Sequence, residues 1–337
     1  MLAKIKTHPK TTIFLGIIAL LLLFILWLFL KPFGLQQEPV AKPAASYEDA
    51  LTRISTIQAA EEAMDELNPI CHSKLLTHGE KTEKVVVFFH GFTSCPEQYV
   101  PLAEEFFERG YNVYIPRQPY HGMDDNMTTA LEALTAEELA TYGFSATDIA
   151  QGLGNDVVVS GLSGGGSVAS YIAQERADVE LAAPTAPFLG IGFIPAALTK
   201  PVTNLGLLLP NFYMWWDPTT KNENPSSSAW QYNRYPIHAL MANLELGFVA
   251  ARDGTAVAPE SENIMVINNA NDRSVNNQVT LDLVNIWREH ENAEVDTYVF
   301  EKELGLAHDL ISVDRESSRP DIVYPVLLQL LGAEAAE

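Results

Sequence analysis

Apolar runs of strand length recur along this chain and constrain its fold more than any other feature. "VVVFF" (85–89) is continuously apolar, and "DVVVS" (156–160) and "NIMVIN" (263–268) are similar, so each predicts a strand buried on both faces. Helix patterns lie between them, and one begins at Thr135 with Glu138 three residues later, the spacing of a capping box. This alternation predicts an α/β fold, with a mainly parallel central sheet and helices on both faces.

The N-terminal region has a different composition. The stretch "IFLGIIALLLLFILWLFL" (13–30) is uncharged and would be about 27 Å long as a helix, close to the hydrocarbon thickness of a bilayer. It exceeds the apolar core of a signal peptide and no A-x-A-like site follows directly. We therefore expect a retained transmembrane helix, with a cleaved signal or a buried helix as alternatives. Lys4, Lys6 and Lys10 precede it and only Lys31 follows closely, which predicts a single-pass protein with a cytoplasmic N-terminus and an extracytoplasmic domain.

The chain divides into three predicted parts. Residues 1–31 are the cytoplasmic N-terminus and the anchor, residues 32–69 a proline-bearing linker followed by an amphipathic helix, and residues 70–337 one α/β domain. Within that domain, residues 187–260 interrupt the alternation and are rich in proline and aromatic residues. An insert at this place would cover the carboxyl ends of the parallel strands, where such sheets bind ligands. We expect it to be a cap; the alternative is a helical excursion with its own small core.

The overall charge excludes one class of partner. The formal net charge is −22, from 43 acidic and 21 basic side chains, and a chain this acidic repels polyanions. We therefore expect no nucleic acid partner. Contact with a membrane is expected only through residues 13–30.

The stretch "SGLSGGGS" contains the strongest chemical signal. "GLSGG" fits G-x-S-x-G with Gly161 and Gly165 on either side of Ser163, and it stands between a predicted strand and a predicted helix. A nucleophile elbow needs this spacing, because small neighbours let the strand and helix approach while the serine is held in a strained turn. A structural glycine hinge is the alternative. A phosphate loop is excluded, because no Lys-Ser or Lys-Thr ends the glycines and G-x-G-x-x-G is not matched.

A serine nucleophile needs a base and an acid that orients the base, and in elbow folds both follow the serine. His308 lies in a loop after the last predicted strand, whereas His290 stands at the polar end of a helix. The candidate acid is Asp272, just beyond the strand that ends near residue 268, with Asp282 and Asp253 as weaker alternatives. Helix capping alone could instead explain Asp272, and Ser274 is a candidate cap for the next helix.

Backbone amides are the expected donors to the oxyanion that forms during acyl transfer. The segment "FFHGFTSCPEQY" (88–99) ends the first strong strand, and Gly91 lets it bend toward the serine. The candidate donors are the N–H groups of Phe92 and of Gly164. Two cysteines occur, Cys71 and Cys95; they could pair in an oxidising compartment or remain free.

With these residues in view, the chain resembles the serine α/β-hydrolase superfamily. The matching segments are "HGFTSCPEQY", "PRQPYHG", "GLSGGG", "NANDRSV" and "GLAHDL", in the order of that family, over residues of about 70–332. Within it the chain looks like the carboxylesterase and monoacylglycerol lipase/lysophospholipase branch, whose cap is inserted between the sixth and seventh strands. The resemblance implies a catalytic triad and oxyanion amides at the positions found above, namely Ser163, Asp272, His308, Phe92 and Gly164.

Two residues depart from the pattern of this family. The loop "PRQPYHG" (116–122) usually reads R-x-P-G-H-G, and here Tyr120 precedes His121 in place of the glycine. Asn269 stands where a glycine usually precedes the acid motif. The strands expected before "VVVFF" are also barely visible, which predicts a sheet shortened at that edge.

The sequence thus predicts a membrane-anchored serine hydrolase of carboxylic esters, with no metal or organic cofactor. The expected substrate is a small ester, either lipid-like or with a short-to-medium acyl chain. The aromatic cap suggests a pocket for an apolar group, with His121, Trp215 and Trp216 as candidate lining residues. One alternative is an amidase or peptidase of the proline-iminopeptidase type, in which Glu223 or Glu245 would bind a substrate amine. The other is an inactive binding protein that keeps the fold.

Overall fold

A seven-stranded sheet forms the centre of the molecule. A computed structural model of the chain describes residues 9–223, 228–315 and 317–333. The strands lie in the order β1-β3-β2-β4-β5-β8-β9, and all neighbouring pairs are parallel except β1 with β3. Their bounds are β1 Lys74–Leu76, β2 Thr82–Phe89, β3 Asn112–Ile115, β4 Gly154–Leu162, β5 Leu181–Thr185, β8 Asn263–Asn269 and β9 Glu294–Phe300. A separate antiparallel pair consists of β6 Tyr213–Trp215 and β7 Arg234–Pro236.

Helices cover both faces of this sheet. The bounds are α1 Pro9–Leu30, α2 Tyr47–Glu62, α3 Val100–Phe107, α4 Ala136–Leu153, α5 Gly164–Glu175, α6 Ala196–Leu208, α7 Ile237–Ala256, α8 Asn277–Arg288 and α9 Pro320–Leu330. Adjacent residues of a strand point to opposite faces, and in β2 the ring of Phe88 contacts Phe106 of α3 whereas that of Phe89 contacts Tyr142 of α4. The predicted mainly parallel α/β architecture is confirmed.

Local signals set the element boundaries as expected. Thr135 caps α4, and its side chain and that of Glu138 satisfy each other's backbone N–H groups, which is the capping box. At the sheet edge, β1 is a three-residue strand paired antiparallel with β3. A strand this short leaves little periodicity in the sequence, which explains why the edge is barely visible there.

The predicted insert divides into two structural parts. Its first part holds α6 and the β6–β7 pair, which lie outside the main sheet. Its last part, α7, packs against α4, α5 and α8, so this helix belongs to the layer that covers the sheet. The segment available as a cap therefore ends near residue 236, before the boundary of 260 that composition suggested.

Residues after α1 are packed against the domain. The ring of Phe33 stacks on Phe248 of α7 at a centroid distance of 4.8 Å, and its carbonyl accepts a hydrogen bond from Arg252. Further along, the N–H of Lys42 donates to the carboxylate of Asp148 in α4. The proline-bearing segment predicted as a linker thus has fixed partners on α4 and α7.

Helix α2 also contributes to the domain. Ser46 caps it by accepting from Asp49 N–H, and at its other end the buried Glu61 pairs with Arg117 at 2.9 Å. Arg117 lies in the "PRQPYHG" loop, so the predicted amphipathic helix supports a loop beside the candidate site.

Cys71 and Cys95 form a disulfide, and both residues are buried. Trp230, from the cap segment, packs against this bond. Because Cys95 follows Phe92 by three residues, the bond ties the candidate oxyanion loop to the segment that precedes β1.

Candidate active site

Ser163 occupies a strained turn between the end of β4 and the start of α5. Its φ is +57° and its ψ −114°, a backbone conformation that a non-glycine residue adopts only when its surroundings impose it. Two hydrogen bonds do so: Ser163 N–H donates to Thr185 of the neighbouring strand at 3.1 Å, and Phe188 N–H donates to the Ser163 carbonyl at 2.9 Å. The turn lifts the hydroxyl above the carboxyl edge of the sheet, at the N-terminus of a helix.

The flanking glycines are required by close backbone contacts. A Cβ added at Gly161 would lie 2.1 Å from the Gly165 carbonyl oxygen, and one added at Gly165 would lie 1.9 Å from the Phe89 carbonyl oxygen. Both distances are far below van der Waals contact with atoms of the main chain, which cannot rotate away.

We expect Gly165→Ala to prevent accumulation of folded protein, because the added methyl group must displace the carboxyl end of β2. The matched control is Gly305→Ala, where φ is +63° and no atom lies within 4 Å of the added Cβ; it should cost only about 1 kcal/mol from backbone strain. Soluble yield and thermal unfolding measure both effects. A Gly165→Ala protein with the unfolding temperature of the control would contradict this account of the elbow.

His308 and Asp272 extend from Ser163 in a hydrogen-bonded chain. His308 Nε2 lies 2.9 Å from Ser163 Oγ, and His308 Nδ1 lies 2.6 Å from Asp272 Oδ2. The Asp272 side chain is fully buried and that of His308 is 22% exposed. The imidazole therefore joins a buried carboxylate to a hydroxyl, with one ring edge accessible from outside.

The second oxygen of Asp272 holds the carboxylate in place. Asp272 Oδ1 accepts from the N–H groups of Ser274 at 2.8 Å and Val275 at 3.2 Å. Asp272 thus has a turn-forming role in addition to its contact with His308. The expectation that Ser274 caps α8 is wrong, because Asn276 caps it by accepting from Gln278 N–H.

The other sequence candidates lie elsewhere. A ring nitrogen of His290 contacts the Gly254 carbonyl at 2.6 Å. Asp253 pairs with Arg252, and Asp282 accepts from Gln278. Within the described ranges, no group of three or more His, Cys, Asp or Glu side chains has the arrangement of a metal site.

The loop after β2 brings the backbone of Phe92 close to Gly164, the residue that follows Ser163. A Cβ added at Gly164 would lie 3.0 Å from Phe92 N, so the two residues are in direct contact. Gly164 is the first residue of α5, where an N–H has no carbonyl partner within the helix. These two amides lie beside the serine, where an oxyanion would need donors.

Gln98 connects this loop to the His308 loop. Its side-chain oxygen accepts from Gly91 N–H at 2.8 Å, and its amide nitrogen donates to Asp309 Oδ1 at 3.0 Å. The glycine predicted to bend the loop is thus held by a buried glutamine that also contacts the residue after His308. No local pattern identifies Gln98, since its partners are seven and 211 residues away.

Asn269, which replaces the usual glycine before the acid motif, connects the loops that carry Asp272 and His308. It is buried, and its side-chain nitrogen donates to the carbonyls of Leu306 and Ala307, each at 3.0 Å. Its oxygen accepts from Asn271 N–H at 2.9 Å. The residue therefore holds the loops of Asp272 and His308 together, and its replacement of a glycine was the available signal in the sequence.

Two of the three predicted pocket residues contact the candidate oxyanion loop: Trp216 from the cap segment and His121 from the interior. The indole N–H of Trp216 donates to Thr93 Oγ1 at 2.9 Å, and its ring packs against those of Phe92 and Tyr235. The ring of Trp215 is instead covered by the Lys221 ammonium. Trp216 is therefore the cap residue best placed to meet a bound molecule.

His121 is not a lining residue, because it is fully buried behind the loop. Its ring lies against those of Phe92, His90 and Tyr232. Burial lowers the pKa of His121 to about 4, and the nearby Arg117 acts in the same direction. Burial also lowers the pKa of His90, so both rings are neutral and pack behind the candidate oxyanion loop.

The two acidic residues considered for amine binding lie on different elements, α7 and the cap segment. Glu245 is on α7, where burial and the charge of Glu137 raise its pKa to about 7 and Lys31 lowers it. The charged groups near it thus lie at the start of α4 and just after α1. Glu223 ends an exposed 3₁₀ turn of the cap segment.

Residues 86–317 match the model of the α/β hydrolase family. A thermostable monoacylglycerol lipase of Bacillus sp. (strain H-257) is 29% identical over 138 residues, which cover 40% of this chain and 53% of that protein. The match thus spans about half the length of that relative.

Solved structures share the fold at low identity. A structure from a study of LipS and LipT, two metagenome-derived lipolytic enzymes, superposes with a TM-score of 0.58 at 18% identity, covering 80% of this chain and all of the other. The monoacylglycerol lipase of Paleococcus ferrophilus gives a TM-score of 0.56 at 15% identity, over 78% and 99% of the two chains. Because the family model matches well over half of the sequence, this chain belongs to the α/β hydrolase family.

Proposed function

We propose that this protein is a membrane-anchored serine hydrolase that cleaves carboxylic esters through an acyl-enzyme intermediate. The observation that carries the proposal is the Ser163–His308–Asp272 chain, with distances of 2.9 and 2.6 Å, on a strained elbow. The G-x-S-x-G spacing and the order of the candidate acid and base along the chain indicate the same three residues.

The proposed reaction begins at the Ser163 hydroxyl. His308 Nε2 accepts its proton as Oγ attacks the ester carbonyl, and the buried Asp272 carboxylate stabilises the imidazolium that forms. His308 then donates the proton to the departing alcohol as the acyl-serine forms. Water attacks the acyl group with His308 again as base, which releases the acid and restores the serine.

The oxyanion of each tetrahedral intermediate would accept hydrogen bonds from the N–H groups of Phe92 and Gly164. The close approach of Gly164 to Phe92, which leaves no room for a side chain at Gly164, supports this role, and the loop that carries Phe92 is held in advance by Gln98 and by the Cys71–Cys95 bond. Donors fixed before the reaction need no reorganisation as charge develops, which is the main source of their effect.

An apolar acyl group is the substrate feature that the site favours. Aromatic rings of Phe92, Trp216 and Tyr235 pack together where the cap meets the oxyanion loop. A relative named as a monoacylglycerol lipase is consistent with such a substrate. We propose that the substrate is a small lipid-like ester.

A panel of nitrophenyl esters and aminoacyl-nitroanilides tests this assignment. We expect kcat/KM to rise from acetyl to octanoyl esters, because each methylene transferred into an apolar site favours the longer chain. Anilides of amino acids should react at least about ten-fold more slowly, since the rings at this contact offer no group to pair with an amine. Ser163→Ala supplies the background rate. Faster anilide cleavage would assign the protein to amide hydrolysis.

We also propose that α1 remains as a single membrane span. It includes a span of 19 residues, Thr12–Leu30, that is long and apolar enough to cross a bilayer. Contacts of Leu28 and Phe33 with the domain support retention, because both side chains are buried. The disulfide supports an extracytoplasmic domain, since such bonds persist in oxidising compartments.

Reporter fusions after residue 337 test the orientation. We expect a reporter that is active only outside the cytoplasm to work, and one that is active only in the cytoplasm to fail, because the lysines before α1 favour a cytoplasmic N-terminus. The opposite pair of results would reverse the proposed topology.

A further inference from the structure

Helix α6 of the cap segment has its polar and apolar faces inverted. Thr199, Thr203 and Asn204 are buried, whereas Leu198, Leu205 and Leu208 are exposed. In a helix on a protein surface in water, the leucines would face the core and the polar residues the solvent. The pattern of α6 instead suits a helix whose outer side meets an apolar medium.

Asn204 fastens α6 to the end of the apolar helix α1. Its side chain is fully buried, and its nitrogen donates to the carbonyls of Leu28 at 2.8 Å and Lys31 at 3.3 Å. The carbonyls of a helix's last turn have no partner within the helix, so Asn204 satisfies groups that would otherwise lack one. A residue within hydrogen-bond distance of the last turn of a membrane span lies at the depth of the lipid–water interface.

The segment that contains α6 is nearly free of charged side chains. Residues 181–216 contain a single charged side chain, Lys200, in a protein of net charge −22. Charge at the hydrocarbon boundary is costly, and acidic groups near lipid headgroups would be repelled. The exposed apolar residues of this stretch continue beyond α6; in chain order they are Phe193, Leu198, Leu205, Leu208, Leu209, Phe212, Met214 and Trp216.

Two residues at the end of α1 are of the types found at the lipid–water interface. The ammonium of Lys31 lies 5.7 Å from the centre of the Trp27 ring. Tryptophan and lysine are the residues that concentrate where a span leaves the hydrocarbon. Trp27 and Lys31 thus place the end of α1 at the lipid–water interface, and Asn204 holds α6 at that same end of α1.

We propose that α6 lies in the lipid–water interface with Leu198, Leu205 and Leu208 in the hydrocarbon, held there by the bond between Asn204 and the end of α1. The occupant of this face is the lipid bilayer. The inference deepens the proposed function and rests on it in one respect, which is that α1 is a retained membrane span. It places the cap beside the membrane, so a lipid-like ester would reach Trp216 and the oxyanion loop from the bilayer.

The test places an environment-sensitive nitrobenzoxadiazole label at single cysteines of the full-length protein in phosphatidylcholine vesicles. Cys71 and Cys95 are paired and buried, so only the introduced cysteine reacts. We expect the label at Leu205→Cys to be quenched by brominated acyl chains to at least half the extent seen at Leu22→Cys within α1. The matched control is Leu281→Cys, an exposed leucine of α8, which should be unaffected. An unquenched label at position 205 beside a quenched one at position 22 would overturn the proposal.

The fastening by Asn204 is tested in the same assay. Asn204→Ala should reduce quenching at position 205 by half or more while quenching at position 22 stays unchanged. Unchanged quenching at position 205 would remove Asn204 from the proposal. Efficient disulfide formation between two copies of Leu205→Cys in vesicles, with no quenching, would assign the face to a second copy of the chain and contradict the bilayer as occupant.

Activity separates this inference from the proposed function. Leu205→Asp/Leu208→Asp should lower hydrolysis of a monoacylglycerol in vesicles about ten-fold and leave hydrolysis of soluble nitrophenyl acetate unchanged. Equal loss on both substrates would indicate damage to the fold and contradict a purely interfacial role. If the wild type hydrolyses neither ester, the proposed function fails, whereas the quenching measurements still decide the position of α6.

Discussion

Ser163→Ala is expected to reduce kcat for ester hydrolysis about 10⁶-fold, to a residual rate set by substrate binding and the oxyanion amides. The substitution removes the atom that would form the acyl bond and leaves His308 without its 2.9 Å partner. The backbone strain at this position remains, so the fold should change little. Rates with a nitrophenyl ester and covalent labelling by a fluorophosphonate probe measure the effect.

Ser160→Ala is the matched control for that measurement. Ser160 is buried three residues earlier, in β4, and its hydroxyl donates to the Ala183 carbonyl at 3.0 Å. The change therefore removes a hydroxyl from the strand that leads into the turn and leaves the contact of His308 with Ser163 in place. Labelling and turnover should survive in this variant. If folded Ser163→Ala labels as well as the wild type, another residue is the nucleophile.

Asp272→Asn is expected to lower kcat about 10⁴-fold with little change in KM. The asparagine oxygen can still accept from Ser274 and Val275, as Asp272 Oδ1 does, so the turn should persist. The amide nitrogen would then face His308 Nδ1, and its hydrogens would favour the imidazole tautomer that cannot accept the serine proton. The loss therefore falls on the chemical step.

The control for this variant is Asp282→Asn, on α8, whose carboxylate accepts only from Gln278 among the bonds recorded for the described residues. Its kcat should stay within about two-fold of the wild type, as for most surface changes. Thermal unfolding of both variants separates turnover from stability. Full activity of Asp272→Asn would show that the carboxylate serves only the turn.

Local patterns were sufficient to predict much of the architecture. The sheet strands were visible as apolar runs such as "VVVFF", and the capping box of α4 was visible as Thr135 and Glu138. Ser163 could be predicted as the candidate nucleophile because the elbow is a local structure, in which strand, turn and helix follow one another within a dozen residues.

Long-range contacts account for what the sequence did not reveal. Gln98 and Asn269 act through partners far along the chain, so no spacing rule points to them. The segment after α1 has the composition of a linker, yet Phe33 and Lys42 find partners on α7 and α4. The spacing of apolar residues also could not show that α7 belongs to the layer on the sheet, because a buried helix has the same sequence pattern in a cap and in a core.

Thr93 links the candidate oxyanion loop to the cap through two hydrogen bonds. Its hydroxyl accepts from the Trp216 indole at 2.9 Å, and its carbonyl accepts from Tyr232 N–H at 3.0 Å. A cap that swings open must break both bonds at the residue next to Phe92. An open form would then admit an ester but hold its oxyanion donors less firmly, so entry and turnover would belong to two different conformations, and closure would act as the commitment step.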